Sequence, residues 1–210
     1  MLVKHLTDHK IVAALEPYGI SASALLCDQI RIYSDLLLRW NQKTSLTTVT
    51  EPDQILRFHF GESMFAAVAV PIRHGRLADV GSGAGFPAVP MRMVSADISV
   101  ILIESNQKKA TFLAEVVREL QLTSVEVRRS RMEDTAFDDA PVDFVTARAL
   151  GIDDVFLKWA NRSLNSGGSA ILWLGEPDAG AISQKGGWNW APSIHIPQSD
   201  RRVILRGGRV

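Results

Sequence analysis

Leu26, Ile30, Tyr33, Leu37 and Trp40 recur at the spacing of one helical face, which predicts an amphipathic helix from about Ser23 to Trp40. The hydroxyl-rich run from Asn41 to Thr48 reads as a loop. A second helix is expected to start at Thr50-Glu51-Pro52-Asp53, with Thr50 as its cap, and to continue through Leu56, Phe60, Met64 and Ala67. From Arg76 onward the pattern changes. Short apolar runs at Leu77–Val80, Ile98–Ile103, Val125–Val127, Val142–Ala147 and Ala170–Leu174 alternate with helical periodicity. The helices include one capped by Asn106, with Phe112, Leu113, Val116, Val117 and Leu120 on its apolar face, and one from Asp153 to Leu164. Ile98–Ile103 is almost wholly apolar, as a strand covered on both faces should be. Such alternation predicts a mostly parallel sheet with right-handed crossovers and helices on both faces, a Rossmann-like α/β fold. Val203-Ile204-Leu205 is expected to add an edge strand, and Gly186–Trp190 to form a Gly/Trp-rich loop. Residues 1–70 then form an N-terminal helical extension packed on an α/β domain of residues 71–210.

Charge narrows the choice of partners. The 23 basic residues balance 23 acidic ones, so the whole molecule has no attraction for polyanions, and nucleic acid would have to meet a local patch. Cys27 is the sole cysteine, which excludes an internal disulfide and a Cys-rich zinc site. The start, Met1 to Asp8, has no apolar core of signal-peptide length. The longest apolar stretch, Phe65–Ile72, is interrupted by Pro71 and too short to span a bilayer. A reduced, cytoplasmic protein with no metal and no membrane association is expected.

The candidate chemistry lies in Asp79-Val80-Gly81-Ser82-Gly83-Ala84-Gly85-Phe86-Pro87, between the first strand and a helix. Backbone N–H groups and the helix start face whatever binds there, and Gly81, Gly83 and Gly85 let the main chain approach it closely. Glu104 ends the second strand, 19 residues after Gly85, where an acid can accept hydrogen bonds from ribose hydroxyls. Glycine spacing alone does not separate nucleotide cofactors. The dinucleotide pattern asks for a third glycine where this chain has Phe86. A carboxylate at Asp79, just before the loop, would repel a pyrophosphate but suit the amino group or sulfonium of S-adenosylmethionine.

Several segments resemble one family. They are Arg76 through Pro90, Leu102-Ile103-Glu104-Ser105 with Lys108-Lys109 and Phe112-Leu113, Arg131-Met132-Glu133, and Asp143 through Ala149. Trp40-Asn41 with Leu46-Thr47, and His59 followed by Ser63, are similar to the same family's N-terminal region. The family is RsmG, the small-subunit rRNA guanine N-7 methyltransferases also called glucose-inhibited division protein B. The resemblance runs from about residue 36 to 175 and makes residues 71–210 a methyltransferase domain. It implies methyl transfer from S-adenosyl-L-methionine to the 7-nitrogen of a guanine in the 530 loop of 16S rRNA, bare or in the small ribosomal subunit. By similarity, the cofactor contacts fall on Gly81, Phe86, Met132, Glu133 and Arg148, joined by Asp79, Gly83, Gly85, Glu104 and Ser105 from the loop and the second strand. The substrate side falls on Lys108, Arg131 and Arg148, taken here as the catalytic set. The chain differs from the family's usual pattern at Ser45, Glu62, Ala88 and Leu174.

A guanine 7-nitrogen carries a free lone pair, so no general base is needed, and its two acceptors call for Arg or Lys. Lys108 and Lys109 fall in a helical first turn, where the dipole disfavours cations. Arg148 should be partly buried at the sheet's carboxyl edge, with Glu104, Glu133 or Asp79 as carboxylate partners. Arg128 and Arg129 thicken the basic cluster around Arg131, and Arg201, Arg202, Arg206 and Arg209 make a basic tail that holds RNA or frays. His59 is expected to be packed rather than catalytic, and Trp188 and Trp190 to cover a sheet edge. Two alternatives remain open: a nicotinamide-dependent oxidoreductase, and a non-catalytic module that binds S-adenosylmethionine and RNA.

Overall fold

The structure is a computed structural model and describes residues 6–70 and 72–210. The first residues of the chain, read above for a signal peptide, and Pro71 at the expected domain boundary lie outside them. Among the described residues eight strands form one sheet: β1 (Gly75–Val80), β2 (Ile98–Ile103), β3 (Val125–Arg128), β4 (Val142–Arg148), β5 (Leu164–Gly175), β6 (Trp188–Trp190), β7 (Ile194–His195) and β8 (Arg202–Arg209). The order is β3-β2-β1-β4-β5-β8-β6, with β7 beside β8. The first five strands are parallel, whereas β8 runs antiparallel to β5, β6 and β7. Two of the strand expectations are corrected. Val203–Leu205 belongs to an inner strand rather than an edge, because β7 pairs its far side there and β6 pairs the end of the strand. The Gly/Trp run contains that outermost strand, where Trp188 and Trp190 stack at 5.4 Å and Trp190 lies against Gly207 so closely that a side chain there would collide with it.

Strand alternation divides the core in two. Leu77, Val100 and Leu102 face one layer, whereas Ala78, Val80, Ile101 and Ile103 face the other. The first layer is built from α1 (Asp8–Leu15), α2 (Ala24–Asn41), α4 (Glu62–Ala69), α5 (Ala88–Val94) and α6 (Gln107–Glu119), with the short α3 (Pro52–Gln54) leading into it. The second is built from α7 (Asp154–Ser163) and α8 (Glu176–Ile182). Residues from the N-terminal helices and from the sheet share one continuous apolar cluster, so α2 is sealed onto the fold through Tyr33, Leu37 and their neighbours.

Local signals set several boundaries. Ser23 caps α2 through the amide of Leu26, and Asn106 caps α6 through the amides of Lys108 and Lys109. Asp153 caps α7 through Phe156. At α3 the cap is Glu51 rather than Thr50, and no side chain bonds to the free amides there. Between α3 and α4 the helix widens into a π-helical stretch, Ile55–Gly61. Such stretches are rare and frequently mark functional sites. This one carries His59 and delivers Glu62 to the sheet.

Candidate functional site

The strand order reverses between β1 and β4, and in open α/β sheets ligands bind outside the carboxyl ends at such a point. A cleft of ≈ 250 Å³ opens there. It is lined by Val80, Gly81, Ile103, Ser105, Arg131, Met132, Glu133 and Leu150, among others. Five residues singled out from the sequence, namely Gly81, Ser105, Arg131, Met132 and Glu133, therefore converge on one cavity from the ends of three strands. Ser130 and Leu150 also line it and were missed; their only signal is that each lies just past a strand.

The glycine loop is fixed from below. The Gly81 and Ser82 amides donate to the Ile103 carbonyl at 2.9 and 3.1 Å. Glu104 accepts from the Gly83 amide at 2.9 Å and from the Asn106 amide at 2.7 Å, so its buried carboxylate ties the loop to the start of α6. Gly81 and Gly83 have φ of 66° and 55°, the left-handed region that glycine enters without penalty. A side chain at Gly83 would meet only the Gly81 carbonyl, at 3.6 Å, so the space above it is open.

On its other side the loop is packed against the N-terminal helices through Gly85 and Phe86. The Phe86 ring is buried on the helical side, stacked on Tyr33 at 5.1 Å and on His59 at 4.5 Å. A side chain at Gly85 would collide with the Tyr33 hydroxyl, which itself donates to the Ala84 carbonyl at 2.5 Å. Both residues serve the packing of α2 against the loop.

Asp79 is buried at the end of β1, where it accepts from the Thr146 hydroxyl at 2.6 Å across the β1–β4 pair. Its other oxygen, Oδ2, has no partner among the described residues. Burial pushes its carboxyl up to about 7, against the pull of the Thr146 hydroxyl and with the Glu104 charge adding to the rise.

Arg148 is held by groups other than those expected. Glu104, Glu133 and Asp79 are not its partners. It donates to Glu62 Oε2 at 2.8 Å and to the Phe58 carbonyl at 2.6 Å, and Ser63 Oγ lies 3.3 Å away. The π-helical turn brings those three groups to the end of β4, nearer its guanidinium than the strand-end acids. Glu62 also takes Arg202 at 2.7 Å, so the basic tail is anchored strand rather than frayed chain. His59 is packed, as expected. It is bonded to the Thr47 hydroxyl at 2.8 Å, and burial with the nearby Arg148 charge holds its imidazole down to about 3. Lys108 does not reach the cleft and lies in a separate groove beside Trp40. Arg128 is paired with Glu126 at 2.6 Å.

Among the described residues no group of three or more metal-ligating side chains gathers, and no helix is long and apolar enough to cross a membrane. The family model of GidB, rRNA small subunit methyltransferase G, matches residues 26–186. The chain belongs to this family. By family it is an S-adenosylmethionine-dependent rRNA methyltransferase. It is 39% identical over 153 residues to ribosomal RNA small subunit methyltransferase G of Desulfitobacterium hafniense, covering 71% of this chain and 63% of that one. The corresponding protein of Halorhodospira halophila is 40% identical over 162 residues, covering 77% and 76%. A solved S-adenosylmethionine-dependent methyltransferase from Aquifex aeolicus shares the fold, with a TM-score of 0.63 at 18% identity, over 75% of this chain and 93% of that one. The GidB match spans both the cleft and the α2 layer sealed against it.

Proposed function

We propose that the cleft at Gly81 holds S-adenosylmethionine and that the enzyme methylates the 7-nitrogen of a guanine in the 530 loop of 16S rRNA. The convergence of Gly81, Ser105, Met132 and Glu133 on one cleft carries the reading. The donor set suits a nucleoside that bears positive charge. Ser105 and Glu133 offer a hydroxyl and a carboxylate on the exposed side, and Met132 offers an apolar wall. Asp79 Oδ2 is a buried acceptor in want of a donor, and Gly83 leaves room where a side chain would stand. Gly85, Phe86 and Glu104 act one step back, by fixing the loop's shape.

The bound cofactor supplies an electrophilic methyl group, so the chain's own task is orientation and electrostatics. A guanine 7-nitrogen needs no proton removed, and His59, stacked on the glycine loop, is buried rather than poised as a base. Arg131, exposed at the cleft wall, is the donor assigned to the guanine edge. Arg148, which is not among the cleft-lining residues, directs its guanidinium to Glu62, Phe58 and Ser63 and is assigned to positioning the end of β4 beside the reacting pair. Lys108 is assigned to RNA outside the cleft. On this reading residues 1–70 are a helical extension, residues 71–210 the methyltransferase domain, and the enzyme works in the cytoplasm without metal.

Small ribosomal subunits lacking the modification, incubated with the protein and methyl-labelled S-adenosylmethionine, test this. Label should enter 16S rRNA. Tight cofactor binding with no label in RNA would favour the non-catalytic alternative.

A further inference from the structure

Beside the cofactor cleft, on the helical side of the sheet, lies a groove of ≈ 620 Å³ lined by Arg39, Trp40, Gln42, Lys43, Thr44 and Lys108. Its place follows from the fold. Lys108 stands in the first turn of α6, which leaves the carboxyl end of β2, so the groove and the glycine loop share one edge. The opposite wall is the end of α2 and the loop after it. Asn41 staples that loop, accepting from the Leu46 and Thr47 amides at 2.9 and 3.0 Å and donating to the Thr47 carbonyl at 2.9 Å. Thr47 holds His59, and His59 stacks on Phe86 of the glycine loop, so the groove wall is fixed to the cofactor loop through packed side chains.

Its charge stands out from a chain of zero net charge. Lys43 and Lys108 are exposed, and among the described residues neither side chain has an ion-pair partner. Arg39 meets Asp35 at 3.3 Å, a solvated pair that a phosphate can displace. The Glu115 carboxylate is engaged by the Trp40 indole N–H at 2.9 Å. That bond and the edge contact with Phe112 at 5.9 Å fix Trp40, which stays partly exposed. Fixed aromatic surface among cations suits a single nucleic-acid strand, since phosphates meet the cations and a splayed base finds a platform.

We propose that this groove seats the RNA strand flanking the target guanine, with Arg39, Lys43 and Lys108 on its phosphates and Trp40 against one of its bases. The inference rests on the RNA methyltransferase reading and locates its substrate track.

The test compares wild-type protein with Arg39→Ala/Lys43→Ala. A second variant, Lys10→Ala/Arg118→Ala, removes the same charge from exposed sites elsewhere. Binding to deproteinised 16S rRNA is measured across a salt series, together with S-adenosylhomocysteine affinity and KM for RNA. The groove variant should bind RNA on the order of tenfold more weakly, with a salt slope flatter by about one to one and a half. Its cofactor affinity and melting temperature should match wild type, and the control pair should change RNA binding little. Equal weakening in both variants, or none in the groove variant, would overturn the proposal. If wild type itself neither binds nor methylates small-subunit rRNA, the functional reading falls and the groove assignment with it. Wild-type methylation with an unaffected groove variant removes the groove assignment alone.

Discussion

Glu62 Oε2 lies 2.8 Å from Arg148 Nη2, and its other oxygen lies 2.7 Å from Arg202, so one buried carboxylate joins the π-helical turn, the end of β4 and the start of β8. Glu62 is 1% exposed, and burial pushes its carboxyl up while Arg148, Arg202 and Arg57 pull it back. Removing one partner of such a pair leaves charge buried without compensation, at a cost of about 3–5 kcal/mol. Glu62→Gln should therefore lower the melting temperature by on the order of 10 °C for a chain of this size. Arg148→Ala should lose stability and turnover together. Arg202→Ala should be milder, because its side chain is 40% exposed. Thermal melts of the three variants check the order, and a Glu62→Gln protein that melts like wild type would contradict it.

Gly83 and Gly85 separate by what a side chain would meet. Gly85→Ala should be poorly folded, since its Cβ would collide with the Tyr33 hydroxyl that seats α2. Gly83→Val should keep most of the fold, paying mainly the left-handed backbone strain of about 1–2 kcal/mol, yet lose S-adenosylmethionine binding by filling the open space. Circular dichroism with cofactor titration distinguishes the two. Unchanged cofactor affinity in Gly83→Val would remove the loop from the binding site.

Asp79 ties stability to pH. Its carboxyl is raised from 3.8 to about 7 in the fold, so between those values the folded state keeps a proton that the unfolded chain has lost. Its contribution to stability therefore falls as pH rises through that window, and it is least favourable above the upper value. Asp79→Asn keeps an acceptor for Thr146 and removes the buried charge. It should melt higher than wild type at pH 8, with the gain vanishing near pH 4, and should bind S-adenosylmethionine more weakly. A variant no more stable than wild type at pH 8 would refute the electrostatic account.

What was legible in the sequence was mostly local. Asn106 announced the start of α6 because its side chain reaches amides two and three residues on. Ile98–Ile103 announced a two-sided strand because both helical layers bury it. The five cleft residues converged because strand ends of a parallel sheet share one edge. What stayed hidden was long-range. Nothing near Phe86 shows that Tyr33 and His59 will sandwich its ring, so the packing of the loop on α2 was not legible. Arg148 looked as if it should pair with the strand-end acids, because Glu62 lies 86 residues away and reaches it only through a helix that widens at Ile55–Gly61. The strand β6 was concealed by its length, since Trp188–Trp190 is too short to show alternation.

His59 gives a pH effect of the opposite sign. Its imidazole falls from 6.5 to about 3 on folding, so stability is full above the upper value and is lost as pH falls and the unfolded chain takes up a proton. His59→Phe loses the Thr47 bond at every pH but abolishes this term. The difference in melting temperature between wild type and variant should narrow from pH 7.5 to pH 4.5. A constant difference would mean that the imidazole titrates normally.

The most direct measurement maps the methylated atom. Small-subunit rRNA methylated by the purified protein, then treated with borohydride and aniline, is cleaved wherever a guanine carries a 7-methyl group. One cleavage in the 530 loop is the expected result. Methyl label that resists this cleavage, or that resides on an adenine amine, would contradict an account in which no proton is removed from the base.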